Sequence, residues 1–206
     1  MSNAQRGELM VFGGPMGSGK TGGLLTELKT LEVAGKSVVL YSLASARRGA
    51  EDDSCVMSRL GIKMSSIRLE ENRLMGEIET AMQYDVVGID EGQFFDDIVE
   101  FATTLLMDHR KIVVIATLLE DHRRNLWPNG VERLYLIADE PRFCKAVCNK
   151  CGQRKSAIHT RKKALFPSDE IVDVGGMDKY ESLCRYCWKE REDRGAGFDL
   201  LEFVYQ

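Results

Sequence analysis

The segment ELMVFGGPMGSGKT, residues 8–21, decides the fold class of this chain. Its last eight residues, 14–21, match the pattern G-x-x-x-x-G-K-[ST] of a phosphate-binding loop. A short apolar run precedes the pattern, and apolar residues at helical spacing follow it over residues 24–31. This order of strand, loop and helix is the context that the pattern requires. A simple glycine turn before a helix is the alternative interpretation.

Backbone N–H groups of such a loop surround phosphate oxygens, and the N-terminus of the following helix adds partial positive charge. Lys20 is then expected to neutralise the β- and γ-phosphate oxygens, and the Thr21 hydroxyl to ligate Mg²⁺. We therefore predict ATP and Mg²⁺ as cofactors. The predicted nucleotide-binding residues of the loop are Gly14, Pro15, Met16, Gly17, Ser18, Gly19, Lys20 and Thr21.

Two acidic residues follow a second predicted strand. Residues 86–89 are an apolar run, and Asp90 and Glu91 come directly after it. P-loop enzymes hold Mg²⁺ through an acid at the tip of a neighbouring strand, and Asp90 fits that position. Glu91 would then lie near the γ-phosphate, where it can act as a general base on an acceptor hydroxyl. The alternative is that both acids only cap the next helix.

Strand and helix patterns alternate along the first two thirds of the chain. Residues 37–41 and 112–116 are predicted as buried strands, and residues 73–83 and 96–108 as helices. Continuous apolar strands that alternate with helices favour a mostly parallel sheet covered on both faces. We therefore predict an α/β fold of the P-loop NTPase (RecA-like) type over residues 7–141.

Four of the six cysteines form two Cys-x-x-Cys pairs. They are Cys148, Cys151, Cys184 and Cys187. Four thiolates in two such pairs can bind Zn²⁺ tetrahedrally and leave no position open for water, which is typical of a structural site. We therefore expect a zinc-ribbon domain over residues 142–190, with a long loop between the pairs, and a C-terminal tail over residues 191–206.

The overall composition excludes some classes of protein. Of the 206 residues, 44% are hydrophobic and 29% charged, and the net charge of −4 argues against a polybasic nucleic-acid coat. No apolar run is long enough to cross a bilayer, and the polar N-terminus lacks the pattern of a secretory signal, so we expect a cytoplasmic location.

Residues 142–163 carry eight basic residues and no acid, which leaves a nucleic-acid-binding zinc ribbon as a rival interpretation. A single aromatic, Phe143, argues against base stacking there, and we expect no nucleic-acid partner.

Taken together, these motifs resemble the type II thymidine kinases. The resemblance depends on the phosphate loop at 14–21, on IDEGQFF at 89–95, and on GGMDKY at 175–180 before the second cysteine pair. These segments stand in the family's order and approximate spacing over residues 7–188. The similarity also extends through residues 97–101.

The resemblance implies a pyrimidine-salvage kinase that moves the γ-phosphate of ATP to the 5′-hydroxyl of thymidine or deoxyuridine. It implies Mg²⁺, one structural zinc ion, Glu91 as the general base, and a homotetramer inhibited by thymidine triphosphate. A lasso-like loop between the cysteine pairs would close over the nucleoside. The resemblance places Gln93 with the nucleotide-binding residues and assigns nucleoside contacts to Met16, Phe94, His122, Trp127, Ile171, Val172, Asp173, Val174, Gly175 and Tyr180.

The chain departs from the family pattern at several positions. Gly17 stands where the family has Phe or Tyr, and residues 44–47 lack the aspartate of the family's Asp-x-Arg motif. His122 and Trp127 replace two aromatic residues that pack on the base. These changes leave two alternatives open, a nucleotide-binding paralogue with weak or no turnover and a deoxynucleoside kinase of altered base specificity.

Overall fold

The computed structural model describes residues 6–44, 54–70, 72–163 and 176–192. The strands are β1 (Glu8–Gly13), β2 (Val38–Leu43), β3 (Cys55–Met57), β4 (Lys63–Ser65), β5 (Ile67–Leu69), β6 (Val86–Ile89), β7 (Ile112–Thr117), β8 (Glu140–Phe143), β9 (His159–Lys162) and β10 (Tyr180–Leu183). The helices are α1 (Lys20–Val33), α2 (Ile78–Ala81), α3 (Ile98–Met107), α4 (Val131–Ile137) and α5 (Arg185–Glu192), with 3₁₀ turns at Met75–Glu77 and Gly92–Phe94.

The centre of the molecule is a six-stranded sheet in the order β5-β2-β6-β7-β1-β8. Its strand pairs are parallel. Strands β6 and β7 are buried at every position, which explains their continuous apolar sequence. The predicted α/β fold with a mostly parallel sheet is confirmed.

The sheet separates two hydrophobic clusters because successive side chains of a strand point to opposite faces. Leu9 and Val11 of β1 belong to the cluster that includes residues of α3 and α4. Met10 and Phe12 belong to the other cluster, which includes leucines of α1. Strand β1 is therefore packed on both faces, and the phosphate loop begins where this strand ends.

Several elements differ from the prediction. The predicted helix over 73–83 is a 3₁₀ turn followed by the single turn of α2. The hairpin of β3 and β4, the edge strand β8 and the helix α4 were not predicted. They lack a readable apolar period because they are short or, in β8, exposed along the whole strand.

The cysteine pairs lie in a small lobe, called here the zinc lobe and formed by residues 144–163 and 176–192. Strands β9 and β10 pair antiparallel, and α5 follows them. Buried Ala146, Ala157 and Leu183 pack with Trp188 and three of the paired cysteines into a separate small core; the cysteines are Cys148, Cys184 and Cys187. Of the helices in the described ranges, none has the length and apolar character needed to span a membrane.

Candidate active site

The phosphate loop has the backbone that its glycines permit. Gly17 and Gly19 have φ values of +70° and +89°, a region that residues with a Cβ rarely adopt. A Cβ at Gly14 would collide with the carbonyl oxygen of Cys144, so the loop can approach the chain after β8 only with glycine there. Gly19 is the residue that precedes α1, and the loop therefore leads directly into the helix N-terminus.

The functional side chains of the loop are held in place. Lys20 is buried, and its Nζ donates to the carbonyl oxygen of Pro15 at 2.8 Å. The Thr21 hydroxyl donates to Oδ1 of Asp90 at 3.0 Å, and both residues are buried. The carboxyl end of β6 and the first turn of α1 thus bring together the hydroxyl and the carboxylate that the sequence predicts as magnesium ligands.

A cavity of about 620 Å³ lies beside the loop. This volume is within the range of small-molecule sites. Gly17, Ser18, Gly19, Lys20 and Thr21 line one side of it. Ser58, Arg59 and Arg142 also line it, so the unpredicted β3–β4 hairpin supplies part of the wall.

Glu91 adopts an unusual backbone conformation directly after Asp90. Its φ of 54° and ψ of 47° lie in the left-handed region, which is uncommon for a residue other than glycine and marks strained, often functional positions. Its Oε2 accepts a hydrogen bond from Nε2 of Gln93 at 2.8 Å. The strained backbone and this bond fix the direction of the carboxylate.

The amide of Gln93 has a single consistent orientation. Its Oε1 accepts from the Thr117 hydroxyl at 3.1 Å and from the Leu118 N–H at 2.9 Å. With the oxygen occupied by two donors, the NH₂ group must face Glu91. The buried Gln93 side chain is thus held at the end of β7 and orients Glu91. The predicted contact of Gln93 with the nucleotide stays a prediction.

Asn129 is a site residue that the sequence did not reveal. Its Nδ2 lies 2.9 Å from the Phe95 carbonyl oxygen, 3.1 Å from that of Gln93 and 3.4 Å from that of Gly92. This one side chain therefore holds the turn that follows Glu91. The Asn129-Gly130 pair is a turn signal, but nothing in it indicates a contact more than 30 residues away.

The predicted base pocket gathers aromatic residues from separate segments. Phe94 and Trp127 pack edge to face with ring centroids 5.9 Å apart. His122 and Tyr180 lie 6.1 Å apart with an angle of 59° between the ring planes. Met16 of the phosphate loop is also buried. The structure thus pairs His122 with Tyr180 and Trp127 with Phe94, whereas a common pocket for the base stays a prediction.

The loop that carries His122 and Trp127 is fixed at two points. Oδ1 of the buried Asp121 accepts from the N–H groups of Arg123 at 2.7 Å and Asn125 at 2.8 Å. Glu120 contacts Nδ1 of His159 at 2.6 Å, which ties the loop to β9 of the zinc lobe. These two contacts fix the loop that carries both aromatic residues.

The four paired cysteines meet in the zinc lobe. Their Sγ atoms all lie within 4.8 Å of one another, and those of Cys151 and Cys184 are 3.9 Å apart. Sulfur atoms that bind one Zn²⁺ at about 2.3 Å lie about 3.8 Å apart in a tetrahedron, so the cluster fits this ion. The sequence prediction that the two pairs share one site is confirmed in geometry.

The environment of these thiols also favours a cation. Burial opposes ionisation of Cys148, but backbone N–H donors from Cys151, Cys184 and Lys150 lower the pKa of this thiol to about 6. Burial and the neighbouring cysteines raise the pKa of the Cys187 thiol. A positive charge bound beside these two thiols would favour their ionised forms.

Some predicted residues lie outside the described ranges. They are Ile171, Val172, Asp173, Val174 and Gly175 of the lasso-like loop, residues 45–47 of the altered Asp-x-Arg stretch, and the tail from residue 193. Their predicted roles stay predictions.

Comparisons with known proteins show which family the chain is similar to. A family model described as thymidine kinase matches residues 7–188. The thymidine kinase of Choristoneura biennis entomopoxvirus is 33% identical over 183 residues, which covers 87% of this chain and 95% of that protein. Thymidine kinase 1 of Dictyostelium discoideum is 33% identical over 92% of this chain and 81% of its own length. The thymidine kinase of Bacteroides thetaiotaomicron is 34% identical over 89% of this chain and 88% of its own length.

Proposed function

The chain belongs to the thymidine kinase family, and on this premise we propose that it transfers the γ-phosphate of ATP to the 5′-hydroxyl of thymidine or deoxyuridine, with Glu91 as the general base. This makes it an enzyme of pyrimidine salvage. The observation that carries the assignment is the carboxylate of Glu91, which a strained backbone and Gln93 orient in the residue directly after Asp90, the partner of Thr21.

The residues around the phosphate loop would hold MgATP. The N–H groups of the loop and the N-terminus of α1 bind phosphate oxygens, and Lys20 places its charge against them. Thr21 and Asp90 are the proposed protein ligands of Mg²⁺. When bound, this ion neutralises the charge that develops on the β- and γ-phosphate oxygens.

The transfer step follows from the position of Glu91. Its carboxylate accepts the proton of the 5′-hydroxyl, and the hydroxyl oxygen forms the new bond to the γ-phosphorus. The bond between the γ-phosphorus and the bridging oxygen breaks, and ADP leaves with that electron pair. Gln93 keeps one carboxylate oxygen hydrogen-bonded, so the direction of the accepting lone pair is set before substrate binds.

The aromatic residues would hold the nucleoside base. Phe94 and Trp127 form one wall, and His122 and Tyr180 form another, with Met16 of the phosphate loop beside the base. Flat aromatic surfaces suit a pyrimidine ring, since stacking gains free energy on both faces. Residues 171–175 are proposed to cover the base from the lasso-like loop.

The remaining parts of the proposal concern organisation. We assign ATP binding to residues 7–141 and zinc binding to residues 142–190, with β8 reaching residue 143 at the boundary. Family membership supports a homotetramer, which light scattering of the purified protein would test. A reducing compartment such as the cytoplasm suits four clustered thiols that bind a metal ion.

The assignment of Glu91 is tested by Glu91→Gln. We expect wild-type protein to phosphorylate thymidine, and the variant to lose about 10²- to 10⁴-fold in kcat while its Kd for MgATP changes little. Glu100→Gln, on the exposed side of α3, is the matched control and should behave as wild type. An unchanged kcat in Glu91→Gln would show that another group accepts the proton.

A further inference from the structure

One peptide segment of the phosphate loop is held by the zinc lobe. The N–H of Met16 donates to Oγ1 of Thr160 at 2.9 Å, and the carbonyl oxygen of Met16 accepts from the hydroxyl of Ser182. Thr160 and Ser182 are 3% and 1% exposed. Both hydroxyls therefore make these bonds in a site that water scarcely reaches, where a lost partner is costly.

The two hydroxyls act from one place. Thr160 of β9 and Ser182 of β10 stand directly opposite each other in the antiparallel pair. Directly opposed residues have side chains about 5 Å apart, which suits two bonds to a single residue. We call Thr160 and Ser182 the peptide clamp.

The peptide clamp acts on the group that binds Lys20. The Pro15 carbonyl and the Met16 N–H belong to the same planar peptide unit. Its oxygen accepts from Nζ of Lys20, and its N–H donates to Thr160. Fixing the N–H therefore fixes the carbonyl that holds the lysine, while Ser182 fixes the next peptide unit in the same way.

The clamp is also connected to the cysteine site. The N–H of Ser182 donates to Oδ1 of Asn149 at 2.6 Å, and the N–H of Asn149 donates to the Ser182 carbonyl at 2.8 Å. Asn149 stands between Cys148 and Cys151, and Ser182 precedes Cys184 by two residues. Hydrogen bonds thus join Asn149, which lies between Cys148 and Cys151 in the chain, through Ser182 to the phosphate loop.

We propose that Thr160 and Ser182 are positioning residues through which the folded zinc lobe sets the conformation of the phosphate loop for triphosphate binding. The inference rests on the proposed function, because it takes the loop to be the ATP site. In this arrangement the structural metal site contributes to ATP affinity as well as to the stability of its own lobe.

Paired variants of the clamp test the proposal. Thr160→Val keeps the side-chain shape and removes the hydroxyl, Thr160→Ser keeps the hydroxyl, and Ser182→Ala removes the second one. Ser156→Ala is the control, since it removes a hydroxyl bond to the Gln153 carbonyl within the same lobe. The Kd for MgATP is measured by calorimetry, KM and kcat by phosphate transfer to thymidine, and bound zinc by elemental mass spectrometry.

We expect Thr160→Val and Ser182→Ala each to raise the Kd and the KM for ATP by about 5- to 10-fold, the loss of one buried hydrogen bond. Bound zinc should stay within twofold of wild type, and Thr160→Ser and Ser156→Ala should bind ATP as wild type does. Unchanged ATP affinity in both clamp variants, a change confined to the thymidine KM, or loss of zinc from these variants would each overturn the proposal. Wild-type protein that binds ATP but phosphorylates no nucleoside would instead refute the proposed acceptor, and the Kd comparison would still decide the clamp.

Discussion

The two ends of the proposed substrate site are built in different ways. At the phosphate end, one continuous segment supplies the loop, and its glycine conformations place N–H groups, Lys20 and Thr21. At the proposed base end, aromatic side chains from distant segments contact each other in two pairs, Phe94 with Trp127 and His122 with Tyr180. The phosphate end is therefore defined by backbone and the base end by side chains.

This difference explains which changes each end tolerates. A backbone-defined site depends on glycine and lysine at fixed spacing, and the chain keeps the whole motif. A pocket of side chains can retain its shape when one aromatic residue replaces another, provided that the loops carrying them are fixed. Asp121 and Glu120 fix the loop that carries His122 and Trp127 in this chain.

Removal of zinc is expected to have the largest effect, because the zinc lobe contributes to both ends of the site. Metal-free protein should lose hydrogen-exchange protection in β9, β10 and α5, and its thymidine phosphorylation should fall to background. Strands β6 and β7 should remain protected, which gives an internal control. Restoring zinc should restore activity, and full activity of verified metal-free protein would contradict this account.

Lys20→Met tests whether the phosphate end of the site can be impaired without weakening thymidine binding at the base end. The variant loses the charge that the loop places against the phosphates, so kcat should fall by about 10²- to 10³-fold. The Kd for thymidine should be unchanged, because no part of the base pocket is altered. Equilibrium binding of labelled thymidine together with initial rates measures both quantities, and equal weakening at both ends would remove the distinction between them. Lys29→Met, on the exposed part of α1, is the control.

Asn129→Ala tests the turn that joins the two ends. Losing the donor to the turn after Glu91 should lower kcat by about 5- to 10-fold, while the KM for ATP changes little. Rates are measured well below the melting temperature, so that unfolding does not contribute. Asn72→Ala removes an exposed hydrogen bond from the Asn72 side-chain amide to Asp96 and serves as the control. A kcat equal to that of the control would mean that the turn holds Glu91 without Asn129.

Trp127→Phe should have the smallest effect. Phenylalanine keeps an aromatic surface against Phe94, and among the described residues the indole N–H that it removes has no hydrogen-bond partner. We expect the KM for thymidine to change by less than about threefold, with the KM for ATP unchanged. Steady-state kinetics with each substrate varied in turn measures this. A tenfold or larger rise in the thymidine KM would show that the indole nitrogen contacts the nucleoside.

The same difference between local and long-range features decides which parts of the site the sequence could predict. The strand, loop and helix around Lys20 and the two cysteine pairs were predictable, because each depends on neighbours in sequence. The strand-end position of Asp90 and Glu91 followed from the same pattern. Contacts of Asn129 and of Thr160 were not predictable, since they join segments that are distant in the chain.

Secondary structure shows the same limit. Strands β6 and β7 are buried at every position, and their apolar runs identified them. Strand β8 is exposed along its length, contains Pro141, and pairs with β1 at the sheet edge. Its place is set by tertiary pairing, because a local sequence of this kind has little strand preference.

We propose that the chain is a pyrimidine deoxynucleoside kinase with an intact phosphate end and an altered but working base pocket. The most direct test is transfer of labelled γ-phosphate from MgATP to thymidine, deoxyuridine, deoxycytidine and the purine deoxynucleosides, with kcat/KM measured for each. We expect thymidine and deoxyuridine to be phosphorylated at the 5′-hydroxyl with the highest kcat/KM of the panel. No transfer to thymidine by protein that binds ATP, or a higher kcat/KM for a purine deoxynucleoside, would contradict it.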